Sequence, residues 1–382
     1  MIDPLLPPDT AEFARAVRDF AQAELRPRYQ EHDRVGRLDD KVLKLVADMG
    51  LLGLRAPESL GGQGADCVTI GVVAEEVGRA DFNIGYLINN TALVTEVLLN
   101  SGTDDQQRQF IPPITRGELV PALCLSEPEH GSDAAALETR ATPTDGGWVL
   151  SGEKTSITFG MQAGAGLVFA RTGPGRAKGI TAFYVDLNHE SITRSEFHDL
   201  GGRAIGRAAL HFDDTFVPGD RLIGPVGGGF TQVMKGFEFA RAIISLVCIG
   251  AASASIDEAL QHARDRKAFG QPIGKFQGVA FPLVEHATHL AAARLLALRA
   301  LQLKDRGLDH RVEANMAKSW APRLAVQAAH DALLVFGHSA YSDEYPLGQR
   351  IRDLIGLELG DGTANITKLV VARELLGRQF AP

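Results

Sequence analysis

The chain has 382 residues, 45% of them hydrophobic and 23% charged, the balance of a folded globular protein and too long for a single ordinary core, so two or three domains are expected. Forty-seven acidic against 39 basic residues leave a net charge of −8, which argues against a broad nucleic-acid-binding face. Met1-Ile2-Asp3-Pro4 carries no basic segment followed by an apolar core, and no continuous apolar run of roughly 18–20 residues is read, so neither a secretory signal nor a membrane span is expected. Cys67, Cys124 and Cys248 stand far apart with no Cys-x-x-Cys. They read as buried thiols of a reducing compartment, and the expected location is cytoplasmic.

The first hundred residues read as helices. Phe13, Val17, Phe20, Ala21 and Leu25 recur at helical spacing, with Asp9 or Thr10 placed to cap the start. Val42, Leu45, Val46, Met49 and Leu51 continue the pattern until Pro57-Glu58-Ser59-Leu60-Gly61-Gly62-Gln63-Gly64 breaks it as a loop. Helical spacing resumes from about Val68 to Leu99. Near Val120 the texture changes to short β-rich runs at Gly147–Leu150, Gly166–Arg171, Ile180–Leu187 and Ala208–Phe212, separated by turns such as Asp145-Gly146-Gly147 and Gly173-Pro174-Gly175. These predict a compact β-sandwich or barrel. No helices alternate with them and no strand–GxGxxG–helix unit occurs, which excludes a doubly wound dinucleotide fold.

After Gly227-Gly228-Gly229 long amphipathic helices return, over about Phe230–Ala268, Gly278–Arg306, Val312–Phe336 and Ile366–Leu376. Short connections between long helices predict an antiparallel bundle. The fold class is therefore α+β: an N-terminal helical domain (1–118), a central β-domain (119–226) and a C-terminal four-helix bundle (227–382).

No Gly-x-Ser-x-Gly elbow, zincin motif or P-loop is present. His286 and His289 lie three apart on a helix without a carboxylate in phase, so no metal site is assigned. Four segments carry more chemistry. In Cys124–Asp133, Ser126, Gly131 and Ser132 offer hydroxyl and backbone donors suited to an aromatic, acceptor-rich ligand. Gly152-Glu153-Lys154-Thr155-Ser156-Ile157-Thr158 is a second polar turn in the same domain. Arg264–Ile273 ends one bundle helix with guanidiniums, whose planar fork suits a pyrophosphate. Gly360-Asp361-Gly362-Thr363-Ala364-Asn365 is a Gly-flanked turn before the last helix. Each alone also reads as an ordinary turn or cap.

Together, in this order, they resemble the acyl-CoA dehydrogenase family over nearly the whole chain. The family's Thr/Ser-Glu-Pro-x-x-Gly-Ser-Asp is similar to residues 126–133, and its Gly-x-Lys-x-x-Ile-Thr to residues 152–158. Its Arg-x-x-Phe-Gly-x-Pro-Ile-x-x-x-Gln is similar to Arg266–Gln277, and its Glu-Tyr-Pro…Arg-Asp with a following Glu-Gly-Thr turn to Glu344–Thr363. The loop Pro57–Asp66 also fits its N-terminal helical domain.

The resemblance implies FAD held between the β-domain, the bundle and a neighbouring subunit. By position, Leu125, Ser126, Gly131, Ser132 and Thr158 would face the flavin and its chain, and Ser156 stands where the family often has Trp. Arg266, Phe269 and Gln277 would reach the pyrophosphate and adenosine end of a neighbour's FAD, while Thr363 and Asn365 would close the flavin site. Ser132, Glu238, Arg241 and Gly362 would contact the acyl-CoA. It further implies electron-transferring flavoprotein as acceptor and a homotetramer.

The family's reaction needs a carboxylate to remove an α-proton while hydride leaves Cβ. A Glu commonly stands in the final turn; here the residue is Asp361, and Ala240 occupies the alternative helical position. Asn89 and Asn90 offer no substitute carboxylate. Asp is one methylene shorter than Glu, a retreat of roughly a C–C bond, and misplacement by about 1 Å can cost on the order of a hundredfold in rate. Asp361 as base therefore points to an acyl group bulky near Cα, cyclic or branched; Lys235–Arg373 also resembles the cyclohexanecarboxyl-CoA dehydrogenase branch. The competing readings are a dehydrogenase of carrier-protein thioesters and a flavin- and acyl-CoA-binding protein without turnover.

Overall fold

The computed structural model describes residues 6–382. Its first segment contains α1 (Pro8–Phe20), α2 (Tyr29–Val35), α3 (Asp40–Asp48), α4 (Cys67–Ala80), α5 (Phe82–Ser101) and α6 (Asp104–Thr115). Helix α1 starts at Pro8 with no side-chain cap, not at an Asp9 or Thr10 cap; proline's fixed φ and missing N–H suit the first helical position. The expected single helix from Val68 to Leu99 is two. Asp81 interrupts it in extended conformation and accepts the N–H groups of Asn83 (2.8 Å) and Ile84 (3.2 Å), capping α5.

The middle segment forms β1 (Pro121–Cys124), β2 (Arg140–Thr144), β3 (Gly147–Ile157), β4 (Ala165–Arg171), β5 (Ile180–Asp186), β6 (Ile192–Glu196), β7 (Ala208–Pro218) and β8 (Leu222–Ile223). They make one mixed sheet ordered β6-β7-β3-β2-β4-β5-β8, with β1 parallel to β4. Strands β4 and β5 are buried on both faces, because successive side chains point oppositely. Leu167, Phe169, Ala182 and Tyr184 pack toward α5, α6 and the bundle, while Val168, Ala170, Phe183 and Val185 fill the β-domain interior. Tyr184 stacks on Phe110 of α6, ring centroids 4.0 Å apart.

The last segment holds α7 (Gly229–Asp265), a two-strand hairpin of β9 (Lys267–Ala268) and β10 (Gln271–Pro272), then α8 (Gln277–Asp305), α9 (Arg311–Phe336), α10 (Leu347–Leu359) and α11 (Ala364–Leu376). Helix α7 is long and apolar enough, by length and composition, to cross a membrane, although the sequence reading found no apolar run of that length. Yet 94% of that window is buried inside the protein, and α7 packs on α4, α5, α8 and α9 as a core helix. Helix α10 escaped the sequence reading because buried Arg350 and Asp353 interrupt its stripe of Leu347, Leu354 and Leu357. Helices from both ends of the chain share one core, in which Ile70, Val73 and Leu87 join Ile243, Leu246, Ala317 and Leu354. Helix α10, which leads into the last turn, thereby packs against α5.

Candidate active site

The turn between α10 and α11 places Asp361 at φ 55°, a left-handed conformation that Asp tolerates better than most residues. Among the described residues, five non-glycines have positive φ, and four of them, Ser156, Phe159, Phe269 and Asp361, fall in segments singled out by the sequence or beside them. Such outliers cluster at functional sites. Gly362 follows at φ 91°, and a Cβ there would lie 3.0 Å from the Arg241 guanidinium. Glycine lets that guanidinium pass.

Three elements meet at the Asp361 carboxylate. Tyr86 of α5 donates its O–H to Oδ1 at 3.4 Å, and the same hydroxyl lies 3.5 Å from Thr158 Oγ1 at the end of β3. Oδ2 is buried and has no partner. Two buried cations hold the turn from behind. Arg241 of α7 donates Nε–H to the Asp361 carbonyl (3.0 Å) and a terminal N–H to Asn315 Oδ1 (3.1 Å). Lys318 of α9 donates to the carbonyls of Leu357 (2.7 Å) and Gly362 (3.1 Å). Burial pushes the Asp361 carboxyl above the usual carboxylate range, against the opposing pull of Lys318, Arg241 and the Tyr86 hydroxyl. A carboxylate with one free oxygen and a raised proton affinity is the form a general base takes.

Leu125 is buried and its carbonyl accepts from Lys154 at 3.1 Å. The fully buried Lys154 ammonium pairs with Glu127 at 2.8 Å, whose carboxylate also accepts the N–H groups of Glu138 and Thr139. This closes the loop carrying Gly131 and Ser132, both exposed. The Ser126 carbonyl accepts the Thr155 N–H at 2.9 Å, which docks that loop beside Ser156–Thr158. Thr363 caps α11 through the Ile366 N–H, and Asn365, the second residue of that helix, is exposed. Arg266 ends α7, Phe269 sits in the turn of the hairpin that follows, and Gln277 opens α8. Phe269 is 96% exposed at the hairpin tip.

Glu238 is half-buried beside Arg311, at 3.3 Å. Arg241 is buried, with its guanidinium turned to Asp361 and over the Phe237 ring, 5.5 Å from its centroid. His286 pairs with Asp331 at 2.6 Å, and no cluster able to hold a metal exists among the described residues. The sequence reading did not single out Tyr86, Asn315 or Lys318. Only Lys318 left a signal, a lysine on the otherwise alanine stripe of Ala314, Ala317, Ala321 and Ala325.

Family models for acyl-CoA dehydrogenases match in chain order: the N-terminal domain over residues 7–118, the middle domain over 122–215 and the C-terminal domain over 227–376. The chain belongs to the acyl-CoA dehydrogenase family. It is 37% identical over 373 residues to mouse mitochondrial short-chain specific acyl-CoA dehydrogenase, covering 97% of this chain and 90% of that one. Butyryl-CoA dehydrogenase from Megasphaera elsdenii superposes with a TM-score of 0.94 at 29% identity, over 98% of this chain and 100% of that one. The prolyl acyl carrier protein oxidase AnaB gives 0.93 at 26%, over 97% and 99%.

This acyl-CoA dehydrogenase is a FAD-dependent oxidoreductase of the CH–CH group of acyl-CoA thioesters. Its residues fit that cofactor. Among the described residues the hydroxyls of Ser126, Ser132 and Ser156 make no hydrogen bond within the protein, and Arg266 forms no ion pair. Hydroxyl donors around the β3 turn suit an acceptor-rich ring, and an uncommitted guanidinium beside an exposed phenyl ring suits a pyrophosphate and an adenine.

Proposed function

We propose that this enzyme desaturates a short cyclic or branched acyl thioester, such as cyclohexanecarboxyl-CoA, between Cα and Cβ, with Asp361 as the base. Bound FAD supplies the hydride acceptor. The single observation carrying the reading is the free, buried Oδ2 of Asp361, next to an Oδ1 held by Tyr86. Its buried setting keeps water from competing for the carboxylate, and the Arg241 and Lys318 contacts fix the turn that aims it. The Asp361 backbone N–H is assigned to polarise the thioester carbonyl, acidifying the α-proton. A carboxylate one methylene shorter than Glu favours a substrate whose Cα is crowded.

Leu125, Ser126, Gly131, Ser132, Ser156, Thr158, Thr363 and Asn365 are assigned to the flavin, and Arg266, Phe269 and Gln277 to a neighbouring subunit's FAD. The homotetramer this requires is supported by apolar side chains left outside the bundle, among them Phe281, Leu295, Leu375 and Leu376, each more than half exposed. Electron-transferring flavoprotein is the proposed acceptor.

A carrier-protein thioester is the second reading. It is favoured by Arg241, which faces Asp361 and so leaves no cation at that position for the adenine end of CoA. Anaerobic titration of the holoenzyme with cyclohexanecarboxyl-CoA, butyryl-CoA and the same ring on a carrier protein tests the proposal. Flavin bleaching by the ring-bearing CoA ester is expected. Bleaching by butyryl-CoA alone removes the ring assignment, bleaching by the carrier-bound ring alone supports the second reading, and none at all leaves a protein that binds without turnover.

A further inference from the structure

Arg241 carries a buried positive charge that no carboxylate cancels by direct contact. It is 6% exposed, and among the described residues its guanidinium forms no ion pair. Its hydrogen bonds go to two neutral oxygens, the Asp361 carbonyl at 3.0 Å and Asn315 Oδ1 at 3.1 Å. Charges this deep in a protein are ordinarily paired with an opposite charge. Here two N–H groups are satisfied and the charge is left in force.

Asn315 of α9 has no measurable exposure, and its amide cannot be turned round. Nδ2 donates to the Arg311 carbonyl at 2.8 Å, a group that only accepts, so Oδ1 must face Arg241. The charge so held has a target. Asp361 is the leading charge acting on Arg241, ahead of Glu238, which Arg311 engages at 3.3 Å.

The titratable groups around the Asp361 carboxyl are Tyr86 from α5, Arg241 and Cys248 from α7, and Lys318 from α9. Burial keeps the Tyr86 hydroxyl and the Cys248 thiol protonated. Glu358 of α10 and Glu238 of α7 face the cations, Lys318 and Arg241 respectively. Arg241 and Lys318 are thus the charges that oppose the effect of burial on Asp361.

We propose that Asn315 is a positioning residue for the proton transfer: a neutral acceptor that holds the Arg241 guanidinium on the Asp361 turn with its charge uncancelled, so that the carboxylate stays ionised and able to take the α-proton. This rests on Asp361 as the base, as proposed above. An aspartate at 315 would have the same shape and would pair with Arg241, cancelling its pull. Alanine would remove the acceptor and release the guanidinium. A nearby cation favours the ionised form of a carboxyl, so weakening it raises the pKa and moves the acid limb of the reaction to higher pH.

The test compares the wild-type holoenzyme with Asn315→Asp and Asn315→Ala. Infrared difference titration follows the protonated carboxyl band of Asp361, assigned by its loss in Asp361→Asn, and needs no substrate. The pH profile of anaerobic flavin reduction by cyclohexanecarboxyl-CoA is the second readout. In Asn315→Asp the infrared midpoint should rise by about one pH unit or more, the size of effect a neighbouring charge has on a carboxyl. In Asn315→Ala it should rise by less, and in both the kinetic limb should follow. Asn315→Asp sets an oxygen against the Arg311 carbonyl, so if that variant does not fold, Asn315→Ala decides alone. An unmoved midpoint in the folded variants, with activity lowered equally at every pH, overturns this inference and leaves the proposed reaction standing. Flavin reduction at the wild-type rate in Asp361→Asn overturns the proposed base, and this inference with it.

Discussion

The Tyr86 hydroxyl and the Asp361 carboxylate, 275 residues apart in sequence, meet at 3.4 Å, and that contact joins the N-terminal helices to the last turn of the bundle. Tyr86 holds one carboxylate oxygen while the other faces no protein group. Tyr86→Phe should therefore leave folding and flavin content intact but free the carboxylate to rotate. The expected result is a lower kcat at nearly unchanged KM in steady-state assays, since the lost contact orients the base and binds no substrate.

The acid limb of the pH–rate profile should report Asp361. Burial raises its pKa, so activity should fall as pH drops through a value above the ordinary aspartate range. Lys318 is the leading group that pulls the pKa back. In Lys318→Met the limb should move to higher pH, whereas a purely structural lysine would lower activity equally at every pH.

Asp361→Glu extends the carboxylate by one methylene. With straight-chain butyryl-CoA the rate should rise, and with a ring-bearing ester it should fall, each by up to about a hundredfold if the reach changes by about 1 Å. Parallel stopped-flow reduction of the flavin by the two esters checks this. A rise with both would separate chain length from ring preference.

A second buried carboxyl controls stability. Asp353 accepts from the Tyr29 hydroxyl and the Gly202 N–H, both at 2.6 Å, tying α10 to α2 and to the β-domain. Burial, opposed chiefly by the Gly202 and Tyr29 hydrogen bonds, pushes its pKa up to about 7. A carboxyl whose folded pKa exceeds the unfolded one contributes stability fully below about pH 4. That contribution is lost as pH rises through about 7. Urea midpoints of the wild type should therefore decline across that interval from this group, and Asp353→Asn should flatten the decline.

The flavin loop depends on a buried ion pair. Removing one partner of such a pair costs roughly 3–5 kcal/mol, because the other is left charged and unpaired. Lys154→Met strands Glu127, which carries the N–H groups of Glu138 and Thr139. A lower melting temperature and sub-stoichiometric flavin after purification are expected, checked by calorimetry and by absorbance.

How far this was legible in the sequence follows from what each feature depends on. Turns announce themselves through local chemistry: Asp361, Gly362 and Gly270 are left-handed and are residues that tolerate it, whereas Phe269, at φ 51°, gives no such signal. The strands β4 and β5 were visible because their apolar runs are continuous, as burial on both faces requires. The neighbours of Asp361 were not visible. Tyr86 sits in a helix buried almost throughout, where an aromatic carries no distinguishing pattern, and its partner comes from the other end of the chain. Arg241 matched a substrate-contacting position by alignment of motifs alone. Its guanidinium turns inward because Gly362 leaves room for it and the Asp361 carbonyl offers it an acceptor. Helix α10 was hidden because charges occupy its buried face, and groups distant in sequence, among them Glu258, Ser255, Tyr29 and Gly202, satisfy them.

The central claim is that Asp361 removes the α-proton. The most direct test is anaerobic single-turnover reduction of the flavin in Asp361→Asn at saturating cyclohexanecarboxyl-CoA, beside the wild type. The account predicts that the variant still binds the ester, seen as a perturbed flavin spectrum, while bleaching slows by about 10²–10⁴-fold, the contribution of a positioned general base. Bleaching at an unchanged rate would contradict it and assign the base elsewhere.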